Sequence, residues 1–220
     1  MENADALKLV AEEIAVCQAC SLHETRKNTV PGAGSATTDL MLIGEGPGYY
    51  ENEQGLPFVG ASGKFLTHLI EKAGFDRKDV FITNVVKCRP PDNRDPQVDE
   101  LTACATFLDR QIEIIDPEVI VTLGRFSMAK FFQNVRISKV HGKAGWIEGR
   151  LIVPMYHPAA ALHNPRLRPV VEADFAKLPA LIEYSRRKKA EKEAQLKKKI
   201  TLSESDDQHD DDAVQLTLFS

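Results

Sequence analysis

LMLIGEGPGYYENEQGLPF, residues 40–58, carries an uncharged apolar run into a glycine-rich turn and then into acids and aromatics. An apolar run without alternation reads as a strand buried on both faces, because a half-exposed strand would alternate polar with apolar side chains. Runs of the same kind recur at 80–86 (VFITNVV), 119–124 (VIVTLG) and 151–156 (LIVPMY). Helical patterns fill the intervals at roughly 61–74, 97–115 and 125–133, and a short amphipathic helix over 4–16 precedes them. Strands alternating with helices predict an α/β fold, a mostly parallel sheet covered on both faces.

Each run ends in a segment too distinctive for a connector: GEGPG, NVVKCRPPDNRDP, LGRFS and YHPAAALHNP. Ligands of open α/β sheets bind beyond the carboxyl ends of the strands, so position alone makes Glu45, Asn84 and His157 site candidates. The first turn imitates a phosphate loop but fits neither template. A Walker loop would need glycine at Phe58 and Ser or Thr at Phe65, and a dinucleotide fingerprint would need glycine at Tyr49. A plain tight turn leaves Glu45 and Glu51 unexplained.

Composition sets wide bounds. With 43% hydrophobic and 27% charged residues, the chain resembles an ordinary soluble globular protein. No apolar run approaches the ~18 residues of a membrane span, and MENADALKLVAEE is too acidic for a signal peptide. A cytoplasmic protein, without a membrane partner, is expected. The net charge of −4 hides a contrast: residues 186–199 hold eight basic and two acidic side chains, while 201–220 hold six acids and no Lys or Arg. Bulk charge therefore neither requires nor excludes a nucleic-acid partner.

The four cysteines fall as Cys17-x2-Cys20 and Cys88-x15-Cys104. In a cytosolic chain such pairs read as metal ligands rather than disulfides. Four thiolates suit tetrahedral zinc or a cubane iron–sulfur cluster; the wide second spacing is easier for the larger group, but spacing leaves the metal open.

GEGPGYYENEQGLPFVGASGKFL, ITNVVKCRPPDNRDP and YHPAAALHNP, in this order and with this cysteine pattern, closely resemble the family 4 uracil-DNA glycosylases. The resemblance covers residues 10 to about 182. It implies a three-layer α/β/α sandwich around a four-stranded mostly parallel sheet, and a 4Fe–4S cluster on Cys17, Cys20, Cys88 and Cys104. It also implies hydrolysis of the N-glycosidic bond of uracil flipped out of DNA, the opening step of base excision repair. Relatives that bind uracil-DNA covalently carry a basic, His-containing insertion after the second motif. Here KCRPP runs straight into DNRDP, which favours turnover over the alternative of a non-catalytic or covalent uracil-DNA binder.

Carried onto these residues, the resemblance gives Phe58 the stacking face for the base and Asn84 its pairing edge. His157 donates to uracil O2 with help from the Gly46 N–H, and Glu45 positions water or stabilises the cationic sugar. Glu51 is expected to crowd the C5 edge and exclude thymine, with Tyr49 or Tyr50 as rivals. Lys87, Arg89 and Arg94 are expected to meet phosphates, together with N–H groups around Gly60 to Gly63. In AAALHNPRLRP, Leu162 or His163 would fill the vacated stack, with Arg166 and Arg168 on phosphate.

Three segments are expected: a glycosylase domain over 1–185, a basic helical extension over 186–200, and a disordered acidic tail over 201–220. One helix should cover about 170–199. QLTLF near the chain end resembles the pentapeptide by which bacterial repair proteins bind the DNA sliding clamp, which makes Gln215, Leu216, Leu218 and Phe219 candidate anchors. The chain is expected to act as a monomer.

Overall fold

A computed structural model describes residues 2–207, with side chains as far as residue 197. In chain order, the elements are α1 (Asn3–Val16), β1 (Ala33–Gly34), β2 (Leu40–Gly44), α2 (Tyr49–Gln54), α3 (Ala61–Lys72), β3 (Phe81–Asn84), α4 (Val98–Ile115), β4 (Val119–Leu123) and α5 (Arg125–Ala129). Then follow α6 (Ile137–Val140), β5 (Gly145–Ile147), β6 (Arg150–Met155), α7 (Pro158–His163), α8 (Arg168–Phe175) and α9 (Leu178–Asp207).

The strands form one sheet in the order β1-β3-β2-β4-β6-β5. Its four central strands are parallel and coincide with the four apolar runs, and every residue of β2, β3 and β4 is buried. The expected four-stranded sheet is thus present, extended to six strands by β1 and β5, which pair antiparallel at its two edges. Alternate positions of the strands, among them Met41, Ile43, Ile120 and Ile152, pack against Leu108, Ile112 and Ile115 of α4. That spacing of α4 residues places one stripe of the helix on the sheet. Helix α1 packs on α4, while α3, α7 and α8 form a second helical group.

The expected helix over 170–199 is two helices. Pro179 supplies no N–H and its ring would clash with the carbonyl one turn back, so it suits the first turn of α9 and not the middle of a continuous helix. Helix α9 continues to Asp207, into the stretch expected to lack structure. Internal contacts divide the chain after Ile182. Residues 208–220, with the QLTLF segment, lie outside the described residues. Among the described residues, no helix is long and apolar enough to cross a membrane.

Candidate active site

The chain winds from β2 out to β3 and returns across the sheet to β4, so the turns after these strands open onto one crevice. A cavity of about 420 Å³ lies there, lined by Glu45, Gly46, Gly48, Glu51, Phe58, Asn84 and His157. Ser62, Asn93, Ala159 and His163 complete the lining. A larger cavity, about 520 Å³, lies between α4 and the β5 edge and contains none of the predicted site residues.

Asn84 ends β3 and is 1% exposed. Its Oδ1 is buried and has no hydrogen-bond partner among the described residues. A Cβ at Gly44 would come within 2.4 Å of that oxygen and 2.7 Å of the Phe58 ring, so glycine is needed where β2 passes both groups. Beneath Asn84, the Lys87 Nζ donates to the Asn84 carbonyl (2.8 Å), Thr83 Oγ1 (2.6 Å) and Gln111 Oε1 (2.7 Å). All three ammonium protons have acceptors, while burial pushes the pKa of this lysine down to about 7.

His157 caps α7, its Nδ1 accepting the Ala159 N–H at 3.2 Å. With Nδ1 an acceptor, the neutral ring carries its proton on Nε2. Burial lowers its pKa to about 4, opposed only by Glu51, so the ring is neutral at physiological pH. The Phe58 ring lies 5.5 Å away at an interplanar angle of 27°. Gly124, at the end of β4 with φ of 96°, lets the backbone approach His157, where a Cβ would sit 3.3 Å from the histidine Cβ. Glu45 is half-buried; burial raises its carboxyl pKa, Asp95 raises it further and Arg125 opposes them.

Glu51 lines the cavity, but its carboxylate already accepts from three backbone N–H groups: Gly48 (3.1 Å), Val59 (2.8 Å) and Gly60 (3.0 Å). Tyr49 and Tyr50 are exposed and do not belong to the lining.

Several expected phosphate contacts need correction. Lys87 is 1% exposed and committed to the network under Asn84, so it cannot reach a phosphate from this fold. The Gly60 N–H is likewise taken by Glu51. Arg94 pairs bidentately with the buried Glu100 at 2.9 and 2.6 Å, which leaves it a bracing role for the loop after β3. Arg89 Nε donates to Asn93 Oδ1 at 2.8 Å, and its guanidinium carbon lies 5.5 Å from the Tyr49 ring centre. Leu162 and His163 on α7, Arg166 in the turn after it and Arg168 at the start of α8 are all exposed; Arg168 also donates to Glu172 at 3.0 Å. Asn93, Ser62 and Gln111 were not singled out from the sequence. Only Gln111 carried a signal there, an amide on the apolar stripe of α4.

The four cysteines, contributed by the α1 end, the segment after it, the loop after β3 and helix α4, line a single small cavity. Burial raises the thiol pKa of Cys20, Cys88 and Cys104, the last to about 11. Two N–H donors already point at sulfurs: Arg26 Nη1 at Cys88 (3.4 Å) and the Lys87 N–H at Cys104 (3.3 Å). Among the described residues no group of His, Cys, Asp or Glu converges tightly enough for a single metal ion. Four thiols around one cavity, two of them with N–H donors aimed at the sulfur, are a donor set of the kind that holds a metal or a metal–sulfur group.

Comparison with known proteins shows the family of the chain. A family model described as "Uracil DNA glycosylase superfamily" matches residues 31–178. A type-4 uracil-DNA glycosylase of Saccharolobus solfataricus is 52% identical over 79% of this chain and 85% of its own length. The type-4 enzyme of Sulfurisphaera tokodaii is 50% identical, covering 80% and 85%. That of Thermotoga maritima is 43% identical, covering 81% and 95%.

Proposed function

The chain belongs to the uracil DNA glycosylase superfamily and excises uracil from DNA as a hydrolase of N-glycosyl bonds, and we propose that it does so in the cavity beyond the strand ends. The observation that carries this placement is the buried, unpartnered Oδ1 of Asn84 on the cavity wall. Leaving such an acceptor unmet costs about 1–3 kcal/mol, and uracil N3–H supplies the missing donor. The Asn84 amide can at the same time donate to uracil O4. Cytosine presents the reverse pattern and leaves both groups unpaired.

A base within a duplex is out of reach, so the nucleotide flips into the cavity and the base lies against Phe58. As the glycosidic bond breaks, the electron pair passes to uracil and positive charge grows on the sugar. The Nε2–H of His157 donates to uracil O2 as that charge gathers, and the ionised Glu45 orders the attacking water or faces the cationic sugar. Beside the cavity, which His163 helps to line, Leu162 or His163 fills the vacated stack and Arg166 and Arg168 lie on phosphates.

Cys17, Cys20, Cys88 and Cys104 would hold a 4Fe–4S cluster. Such a group would be held by the four sulfurs as thiolates, their protons released to solvent, and would tie the end of α1 to the loop after β3 and to α4. The C-terminal QLTLF offers Gln215, Leu216, Leu218 and Phe219 to a sliding clamp; deleting 215–220 should abolish clamp pull-down while leaving uracil release from short oligonucleotides unchanged.

The purified chain is expected to contain iron and acid-labile sulfide, to release free uracil from a uracil-containing oligonucleotide, and to leave a site that alkali cleaves. Asn84→Ala should lower kcat/KM about 10²-fold or more, through two lost buried hydrogen bonds. An intact iron-loaded chain that binds the oligonucleotide without releasing uracil would overturn this function.

A further inference from the structure

Phe58 has φ of 53°, in the left-handed region that a residue with a Cβ adopts only when its surroundings impose it. Two side chains of opposite charge hold the peptides around it. Glu51 Oε1 accepts the N–H groups of Val59 and Gly60, on the C-terminal side of Phe58. Arg77 Nη2 donates to the carbonyls of Pro57 at 2.6 Å and Phe58 at 3.1 Å, and its Nη1 donates to Thr67 Oγ1 at 2.9 Å. The carboxylate thus collects the N–H groups of the turn and the guanidinium its carbonyls. Gly63 closes the arrangement, since a Cβ there would come within 1.9 Å of the Phe58 oxygen.

We propose that Arg77 is a positioning residue for uracil excision: with Glu51 it clamps the Pro57–Gly60 turn, so that the Phe58 ring stands as the wall on which the flipped base stacks. This rests on the reading of Phe58 as that wall. Arg77 itself touches no substrate; it sits on the short turn Arg77–Asp79 before β3 and is not among the cavity's lining residues. If the clamp is released, φ at Phe58 can relax to negative values, which re-aims its Cβ and swings the ring off Gly44 and Asn84. A guanidinium is the group the geometry requires, because its fixed fork spans Thr67 and two carbonyls together, whereas a lysine ammonium acts as a point charge.

The test compares Arg77→Ala, Arg77→Lys, Phe58→Ala and the Arg77→Ala/Phe58→Ala double variant of the full chain on a uracil-containing oligonucleotide. Inhibition by free uracil is measured alongside. Arg77→Ala should raise KM and the uracil inhibition constant about tenfold with kcat nearly retained, because stacking holds ground and transition states alike. Arg77→Lys should fall between, at about threefold. On the Phe58→Ala background, Arg77→Ala should add nothing further. Unchanged uracil inhibition in Arg77→Ala, or losses that multiply in the double variant, would overturn the proposal. Should Arg77→Ala fail to fold, Arg77→Lys carries the test, and unchanged uracil inhibition there overturns it equally. A silent Phe58→Ala would remove both the wall and the clamp, while uracil release by the parent chain keeps that failure separate from failure of the function.

Discussion

Replacing His157 with alanine should lower the single-turnover rate of uracil release about 10²–10³-fold, the usual cost of removing one donor aimed at developing negative charge. The geometry decides which form of the ring acts. Nδ1 is held by the Ala159 N–H, so the donor is Nε2–H of a neutral imidazole, and burial keeps it neutral by lowering its pKa to about 4. A cationic histidine would give a rate that rises as pH falls through 6.5, its ordinary value. The neutral donor instead gives a rate on which His157 leaves no mark between about pH 5 and 8. His157→Gln, which keeps an N–H but cannot titrate, should recover part of the rate with an unchanged profile. Stability supplies an independent reading. Because the folded pKa lies below the unfolded one, the unfolded chain binds more protons between them. The contribution of this residue is therefore full above about pH 6.5 and is lost as pH falls towards 4. His157→Gln should flatten that part of a melting-temperature profile.

What the sequence disclosed follows from how local each signal was. The four parallel strands were legible because burial on both faces leaves unbroken apolar runs. The edge strand Ala33–Gly34 is two residues long, too short for any period to show. Glu45, Asn84 and His157 could be placed because a strand end has a fixed address in this class of sheet. Lys87 misled for the opposite reason. Beside Cys88 and Arg89 it looks like part of a basic loop, yet it lies four residues beyond Thr83, and both reach Gln111 of a helix distant in sequence. No local pattern announces such a partner. Arg77, itself outside every motif, was hidden in the same way: its carbonyl partners lie about 20 residues upstream. Glu51 was noticed as an acid out of place. Its three N–H partners give it a reason to be there that does not depend on the thymine methyl.

The second large effect belongs to Glu45, and its pH dependence is more telling than its size. Glu45→Gln should lower kcat about 10²–10⁴-fold, with KM little changed, if the carboxylate orders water or faces the sugar cation in the transition state. Only the ionised form can do either, so activity should fall as acid protonates this group. Burial, followed by the charge of Asp95, raises the pKa of Glu45, so the acid limb should lie above the ~4.3 of an ordinary glutamate. Arg125, which pairs with Asp95, pulls the other way. Arg125→Ala removes a cation and should move the limb to higher pH; Asp95→Asn removes an anion and should move it lower. Neither change should much alter the plateau, because neither side chain lines the cavity. A structural role for Glu45 would leave the limb where it was in both variants. A Glu45→Gln plateau within tenfold of the parent would take the carboxylate out of the chemistry, leaving uracil's departure to the donors on Asn84 and His157.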